Sequence, residues 1–119
     1  MDQETQERIA RNDAVFRAAN ERIEEAAEEF GVEGGPLPFL CECADRECTK
    51  IVLLERDEYA AIRANPRRFL IVPGHERVAA GATKVVESHE GYEVVEKIGH
   101  AGEVAEQLDT GSATKGGAG

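Results

Sequence analysis

The chain of 119 residues has the size of one compact domain, and it carries 24 acidic against 14 basic side chains, a net charge of −10. Nucleic-acid binding requires a basic face that neutralises phosphates, and anionic membranes attract basic surfaces. No run of about 18 apolar residues is present, and residues 1–4 lack the basic-then-apolar layout of a signal peptide. The sequence therefore predicts a cytoplasmic protein that binds neither nucleic acid nor membranes.

Residues 1–33 are predicted to be an amphipathic N-terminal segment with one long helix over 3–30. Apolar residues recur there every seven positions, at Ile9, Phe16, Ile23 and Phe30. Asn12 lies on the same stripe, where a buried amide can set the register of a helix pair, and Gly31 is placed to end the helix. This stripe either packs on the protein's own core or contacts a partner protein or a second copy of the chain.

Residues 34–109 are predicted to form a small α+β domain with a mostly antiparallel sheet and two short helices. Strands are expected at 39–40, 49–54, 69–72, 83–87 and 92–98, and helices at 57–64 and 102–108. A linker over 34–38 and a loop over 77–82 are expected between them. The small polar residues of 110–119 predict a disordered tail.

All three cysteines of the chain, Cys41, Cys43 and Cys48, fall within one short segment in a C-x-C-x4-C pattern. Cysteines that only fill a core would be spread over several elements, whereas clustered thiols can hold a metal ion or exchange a disulfide. In a reducing cytoplasm a structural disulfide is disfavoured, and an odd number of cysteines leaves one unpaired. The pattern therefore favours a metal site, with a redox-active dithiol as the alternative.

A structural zinc site takes four ligands, mostly cysteine and histidine, so one more ligand is needed. His75 is the leading candidate because it follows a predicted strand end and the Pro73-Gly74 turn. His89, His100, Asp45 and water are the alternatives. A zinc ion held by Cys41, Cys43, Cys48 and His75 would staple the small domain and stabilise its fold.

The C-x-C spacing limits how the two sulfurs can reach one ion. Residues two apart on an extended strand point to the same side, at a spacing wider than one ion prefers. The backbone at Glu42 must therefore bend, or Cys43 must begin a turn. The same ligands also suit a [2Fe–2S] cluster. Clusters of the mitoNEET-like family begin with C-x-C too, but their histidine follows the last cysteine by four residues, where this chain has Val52.

An enzymatic reading requires an open metal position. If His75 is not a ligand, three cysteines and a water would remain, with Glu76 as a possible base for a small zinc-dependent hydrolase or deaminase-like enzyme. Deaminases carry a P-C-x-x-C element, which this chain lacks, as it lacks G-x-S-x-G and H-E-x-x-H. The sequence therefore favours a non-enzymatic zinc-binding module with a regulatory or protein-interaction role. A thiol-based redox sensor is its main rival.

The string from Pro38 to Asp45, which reads PFLCECAD, is followed by Cys48 and by the string from Pro73 to Glu76, which reads PGHE. In this pattern the chain resembles a group of small bacterial proteins that have no established function. The resemblance covers roughly residues 12–109. It implies that the three cysteines and His75 belong to one shared pattern, and it implies nothing about a substrate.

Overall fold

The computed structural model of the protein describes residues 2–32, 34–43, 45, 47–79 and 81–109. These ranges contain three α-helices, one 3₁₀ helix and five strands. In chain order they are α1 (Gln3–Glu29), β1 (Leu37–Leu40), β2 (Ile51–Leu54), α2 (Arg56–Arg63), β3 (Arg68–Ile71), a 3₁₀ helix (His75–Ala79), β4 (Thr83–His89), β5 (Tyr92–Lys97) and α3 (Gly99–Gln107). The α+β class predicted from the sequence is confirmed.

The strands form two small antiparallel sheets rather than one. The first contains only β1 and β2, paired so that Phe39 lies opposite Val52. The second has the order β3-β5-β4, with Leu70 opposite Val94. A core of apolar side chains joins the two sheets, and the ring of Phe39 stacks on that of Tyr59 at a centroid distance of 4.3 Å.

Helix α1 has the extent that the sequence predicted. Asp2 precedes it as the N-cap, and its side chain accepts a hydrogen bond of 2.7 Å from the Thr5 N–H. The helix ends at Phe30, and Gly31 follows with a φ of +70°, a left-handed conformation that glycine adopts without strain. α1 packs against β1 and α3.

The buried face of α1 differs from the predicted apolar stripe. Of the four stripe residues only Ile9 is fully buried, whereas Phe30 is 80% exposed. The buried residues of α1 are Ile9, Ala10, Asp13, Arg17, Asn20 and Ala27. The stripe packs on the protein's own core only in part, through Ile9 and Ile23, because buried polar residues with partners in the body of the protein occupy the rest of this face. Asn20, not Asn12, is the buried asparagine.

Three of these side chains make the contacts that we call the α1 seam: Asp13, Arg17 and Asn20. Asp13 forms a buried ion pair with Lys97, whose ammonium also donates to Thr83 Oγ1 at 2.8 Å. Arg17 donates to two backbone carbonyl oxygens, of Pro66 at 2.7 Å and of Ala105 at 3.0 Å. The seam therefore fixes α1 to the rest of the fold through polar contacts.

Three local predictions need correction. β1 begins at Leu37, inside the predicted linker, because the β1–β2 ladder already pairs Leu37 with Leu54. Residues 75–79 form a 3₁₀ helix, which takes up the first part of the loop predicted over 77–82. α3 begins at Gly99, so His100 lies in a helix that packs against α1 rather than in a loop.

The division of the chain into residues 1–33 and 34–109 stays a prediction. The predicted disordered tail, residues 110–119, lies outside the described residues. Among the helices of the described ranges, none is both long and apolar enough to cross a membrane.

Candidate metal centre

The three cysteines and His75 meet at one point. Their ligand atoms, three sulfurs and one imidazole nitrogen, all lie within 4.8 Å of one another, and we call this group the Cys3His cluster. His75 Nδ1 lies 3.5 Å from Cys41 Sγ and 3.6 Å from Cys48 Sγ. Cys41 and Cys43 are buried, whereas Cys48 and His75 are half-buried. Such a group could hold a metal ion.

The C-x-C segment reaches the site by connecting the two sheets. The Cys41 N–H donates to the Lys50 carbonyl at 3.0 Å and so extends the β1–β2 ladder by one pair. The next residue leaves that ladder, because the Glu42 N–H donates to the Leu70 carbonyl of β3 at 2.7 Å. Successive N–H groups of an extended segment point to opposite sides, so Cys41 and Glu42 together link the two sheets, and the predicted bend at Glu42 stays a prediction.

Cys48 arrives through a turn, and the backbone of this turn is itself hydrogen bonded. The Cys48 N–H donates to the Asp45 carbonyl at 3.0 Å, and the Glu47 N–H donates to Asp45 Oδ1 at 3.0 Å. Asp45 is exposed, and its carboxylate stabilises the turn through this hydrogen bond. The Asp45 carbonyl oxygen lies 3.8 Å from Cys43 Sγ.

His75 is presented by a tight turn at the end of β3. The His75 N–H donates to the Val72 carbonyl at 3.0 Å, with Pro73 and Gly74 between them. Gly74 has a φ of +94°, so proline and glycine stand where a type II turn requires them. Val72 also donates its own N–H to Cys41 Sγ at 3.2 Å, which ties this turn to the C-x-C segment.

The thiols influence one another's ionisation. A hydrogen bond with Cys43 and burial raise the pKa of Cys41. The hydrogen bond with Cys41, helped by contacts to His75 and the Asp45 backbone, lowers the pKa of Cys43 to about 5, and burial raises that of Cys48. Since thiolates at this separation repel one another, a bound cation would stabilise the group.

The other two histidines lie elsewhere. His89 stacks on Tyr92 and contacts Glu87 at 2.8 Å. His100 lies between Glu7 of α1, at 3.1 Å, and Glu103 of α3, at 3.2 Å. Neither belongs to the Cys3His cluster, so the structure brings together the four residues that the sequence named first.

The sequence prediction missed the role of the Glu42 side chain, since it assigned this residue only a possible bend of its backbone. Its side chain is fully buried and accepts hydrogen bonds from Tyr59 Oη, from the Leu70 N–H at 2.9 Å and from Asn20 Nδ2 at 2.9 Å. The alternation of an extended strand carries the signal: if Cys41 and Cys43 face the site, Glu42 must face the opposite side.

Comparison of the chain with protein-family models, curated proteins and solved structures found no match. The resemblance to a group of small bacterial proteins therefore stays a prediction.

Proposed function

We propose that Cys41, Cys43, Cys48 and His75 bind one zinc ion in a closed structural site. The observation that carries this proposal is the convergence of three thiols and one imidazole within 4.8 Å. Structural zinc sites commonly use three cysteines and one histidine in tetrahedral geometry. When bound, the ion would offset the negative charge of the three neighbouring thiolates.

Two of the ligand separations match a single tetrahedral ion. Zn–S bonds of about 2.3 Å and a Zn–N bond of about 2.0–2.1 Å give a sulfur-to-nitrogen separation of about 3.6 Å across a tetrahedral edge. The two separations from His75 Nδ1 are 3.5 and 3.6 Å. A [2Fe–2S] cluster distributes its ligands over two irons, so ligands at opposite ends lie farther apart than ligands of one ion. The compact group therefore favours zinc over the iron–sulfur alternative.

A closed site with four protein ligands has no open position for water or substrate, and on this basis we assign the protein a non-enzymatic role. The ion would join the C-x-C segment to the turn after β3 and so contribute to folding. A regulatory or protein-interaction module fits this description better than a hydrolase.

Substitution of the histidine tests the closed site. His75→Ala should weaken zinc binding strongly, as measured by competition with a chromophoric chelator, because it removes one of four ligands. The matched control is His89→Ala, since His89 lies at the hairpin tip outside the cluster and its loss should leave affinity unchanged. If His75→Ala retains zinc with wild-type affinity, the site is open and the enzymatic alternative gains support.

Redox sensing by the same thiols is the second candidate, and the partial exposure of Cys48 favours it. Peroxide can oxidise two thiols to a disulfide, with two molecules of water as the other product, and the loss of two ligands would release the ion. Zinc release by mild peroxide that thiol reductant reverses would support this function. Zinc that stays bound under the same treatment would exclude it.

The outer face of α1 is proposed as the surface for a partner protein or for self-association. Val15 on this helix is 67% exposed and Phe30 at its end is 80% exposed. Light scattering of the wild type and of Val15→Asp tests self-association. A wild type that is larger than a monomer and becomes monomeric in the variant would support it, and a monomeric wild type would exclude it.

A further inference from the structure

We propose that Glu42 is a positioning residue that couples the metal site to α1, so that zinc binding and docking of α1 strengthen each other. This inference rests on the proposed zinc site and deepens it, because it gives the site a regulatory output. The juxtaposition behind it is a buried carboxylate that stands between two ligand residues and is held by the helix.

Glu42 has no solvent exposure, although it lies between Cys41 and Cys43 in the chain. Its Oε1 accepts from the Leu70 N–H, and its Oε2 accepts from Tyr59 Oη and from Asn20 Nδ2. Three elements, α1, α2 and β3, therefore contribute one donor each. A carboxylate held in this way fixes the backbone that carries both cysteines.

Asn20 extends the same contact to the residue before the C-x-C segment. Its Oδ1 accepts from the Leu40 N–H at 2.7 Å, and its Nδ2 donates to the Leu40 carbonyl at 2.8 Å. One side chain of α1 thus binds the backbone on one side of Cys41 and the carboxylate on the other. Movement of the C-x-C segment and movement of α1 cannot occur independently while these bonds persist.

The coupling has a direct physical cause. Bound zinc would join the C-x-C segment to Cys48 and to His75 in the turn after β3, and without the ion the segment lacks these bonds and is displaced more easily. Displacement would leave buried donors on Asn20 and Tyr59 without an acceptor, which weakens the attachment of α1. By linkage, anything that loosens α1 must lower zinc affinity by the same factor by which zinc strengthens the docking of α1. Loss of zinc would therefore release α1.

Zinc affinity measured by chelator competition gives the first test, with Glu42→Gln as the variant. The glutamine amide would oppose the Asn20 amide with a second donor, so we expect an affinity loss of about 10–100-fold. Glu47→Gln is the matched control. Glu47 is also a glutamate next to a cysteine, but it is exposed, so its neutralisation removes the same charge without removing a buried acceptor.

Hydrogen exchange measured region by region separates coupling to α1 from a general loss of stability, because a general loss affects all regions alike. In the wild type, zinc should slow exchange in residues 13–27 of α1 more than in residues 83–97 of the β4–β5 hairpin. In Glu42→Gln, zinc should slow exchange to the same extent in both regions, because zinc then stabilises the fold as a whole and not α1 in particular. Tyr59→Phe removes one donor and keeps the aromatic ring, so it replaces Glu42→Gln if that variant does not fold.

The outcomes separate this proposal from the proposed function. If the wild type binds no zinc, the zinc site itself is wrong and the coupling falls with it. If the wild type binds zinc while Glu42→Gln or Tyr59→Phe binds it equally well and α1 exchange responds no more than the hairpin, the zinc site stands and the coupling is wrong. Reduced affinity together with loss of the selective response of α1 would establish the coupling.

Discussion

The Cys3His cluster and the α1 seam are both built from polar side chains that are buried or half-buried in the fold, yet they differ in the partners that these side chains find. In the seam, each charge meets an opposite charge or a carbonyl of the protein, as Asp13 meets Lys97 and Arg17 meets Pro66. In the cluster, thiols face one another and an imidazole. The charges of the seam are therefore balanced by the protein itself, whereas the cluster is suited to a cation.

The largest effect is expected from removal of a ligand. Cys43→Ala should lose zinc and lower the free energy of unfolding by several kcal/mol, because binding of structural zinc is folding free energy. Thermal unfolding with and without chelator checks this. The chelator should lower the midpoint of the wild type and leave that of the variant unchanged. If the two proteins have equal unfolding midpoints without chelator, zinc at the cluster does not stabilise the fold, and the proposed difference between cluster and seam is wrong.

Breaking the seam should have a smaller effect, measured in chelator so that the proposed coupling between α1 and zinc does not contribute. Lys97→Ala leaves the buried Asp13 carboxylate without its partner, and we expect a loss of about 3–5 kcal/mol in urea unfolding. Lys84→Ala is the control, since Lys84 lies on the same hairpin with its side chain 58% exposed and should cost less than about 1 kcal/mol. A loss for Lys97→Ala within the range of the control would show that the seam is not structural.

The seam should also have a characteristic pH dependence. Burial raises the pKa of Asp13 to about 7 from its ordinary 3.8, although Lys97 opposes the shift. A carboxyl with a raised pKa in the folded state contributes stability below its unfolded pKa, and this contribution is lost as pH rises through the folded pKa. As pH rises from about 4 to 7, the free energy of unfolding of the wild type should therefore fall by up to a few kcal/mol relative to that of Asp13→Asn.

Urea midpoints of the two proteins across this range, both in chelator, provide the measurement. The chelator removes the separate pH dependence of metal binding. Parallel curves would mean that Asp13 does not titrate in the predicted window.

The contrast between cluster and seam also explains what the sequence could predict. The three cysteines are rare residues at short spacing, and His75 follows a strand end and a Pro-Gly turn, so local patterns sufficed to name the four. The helices and strands were likewise predicted from local patterns, namely hydrophobic periodicity and turn residues. The α1 seam could not be predicted, because Asp13, Arg17 and Lys97 resemble surface charges and acquire their partners only when distant segments fold together.

Glu42 occupies an intermediate position. Its place between two cysteines implied that it faces away from the site, but only the packed fold shows that this direction is the interior. The hydrogen-bond donors to its carboxylate belong to residues 20, 59 and 70, which lie on separate elements and come together only in the fold. Strand alternation could predict its orientation but not its burial.

Elemental analysis with an absorption spectrum, on protein purified without chelator or contact with an affinity metal, shows whether the Cys3His cluster binds zinc. We expect one zinc per chain and no visible absorption bands. Iron with visible bands would contradict zinc and indicate an electron-transfer or sensing protein. Protein without metal, whose three cysteines titrate as free or paired thiols, would contradict the metal site itself.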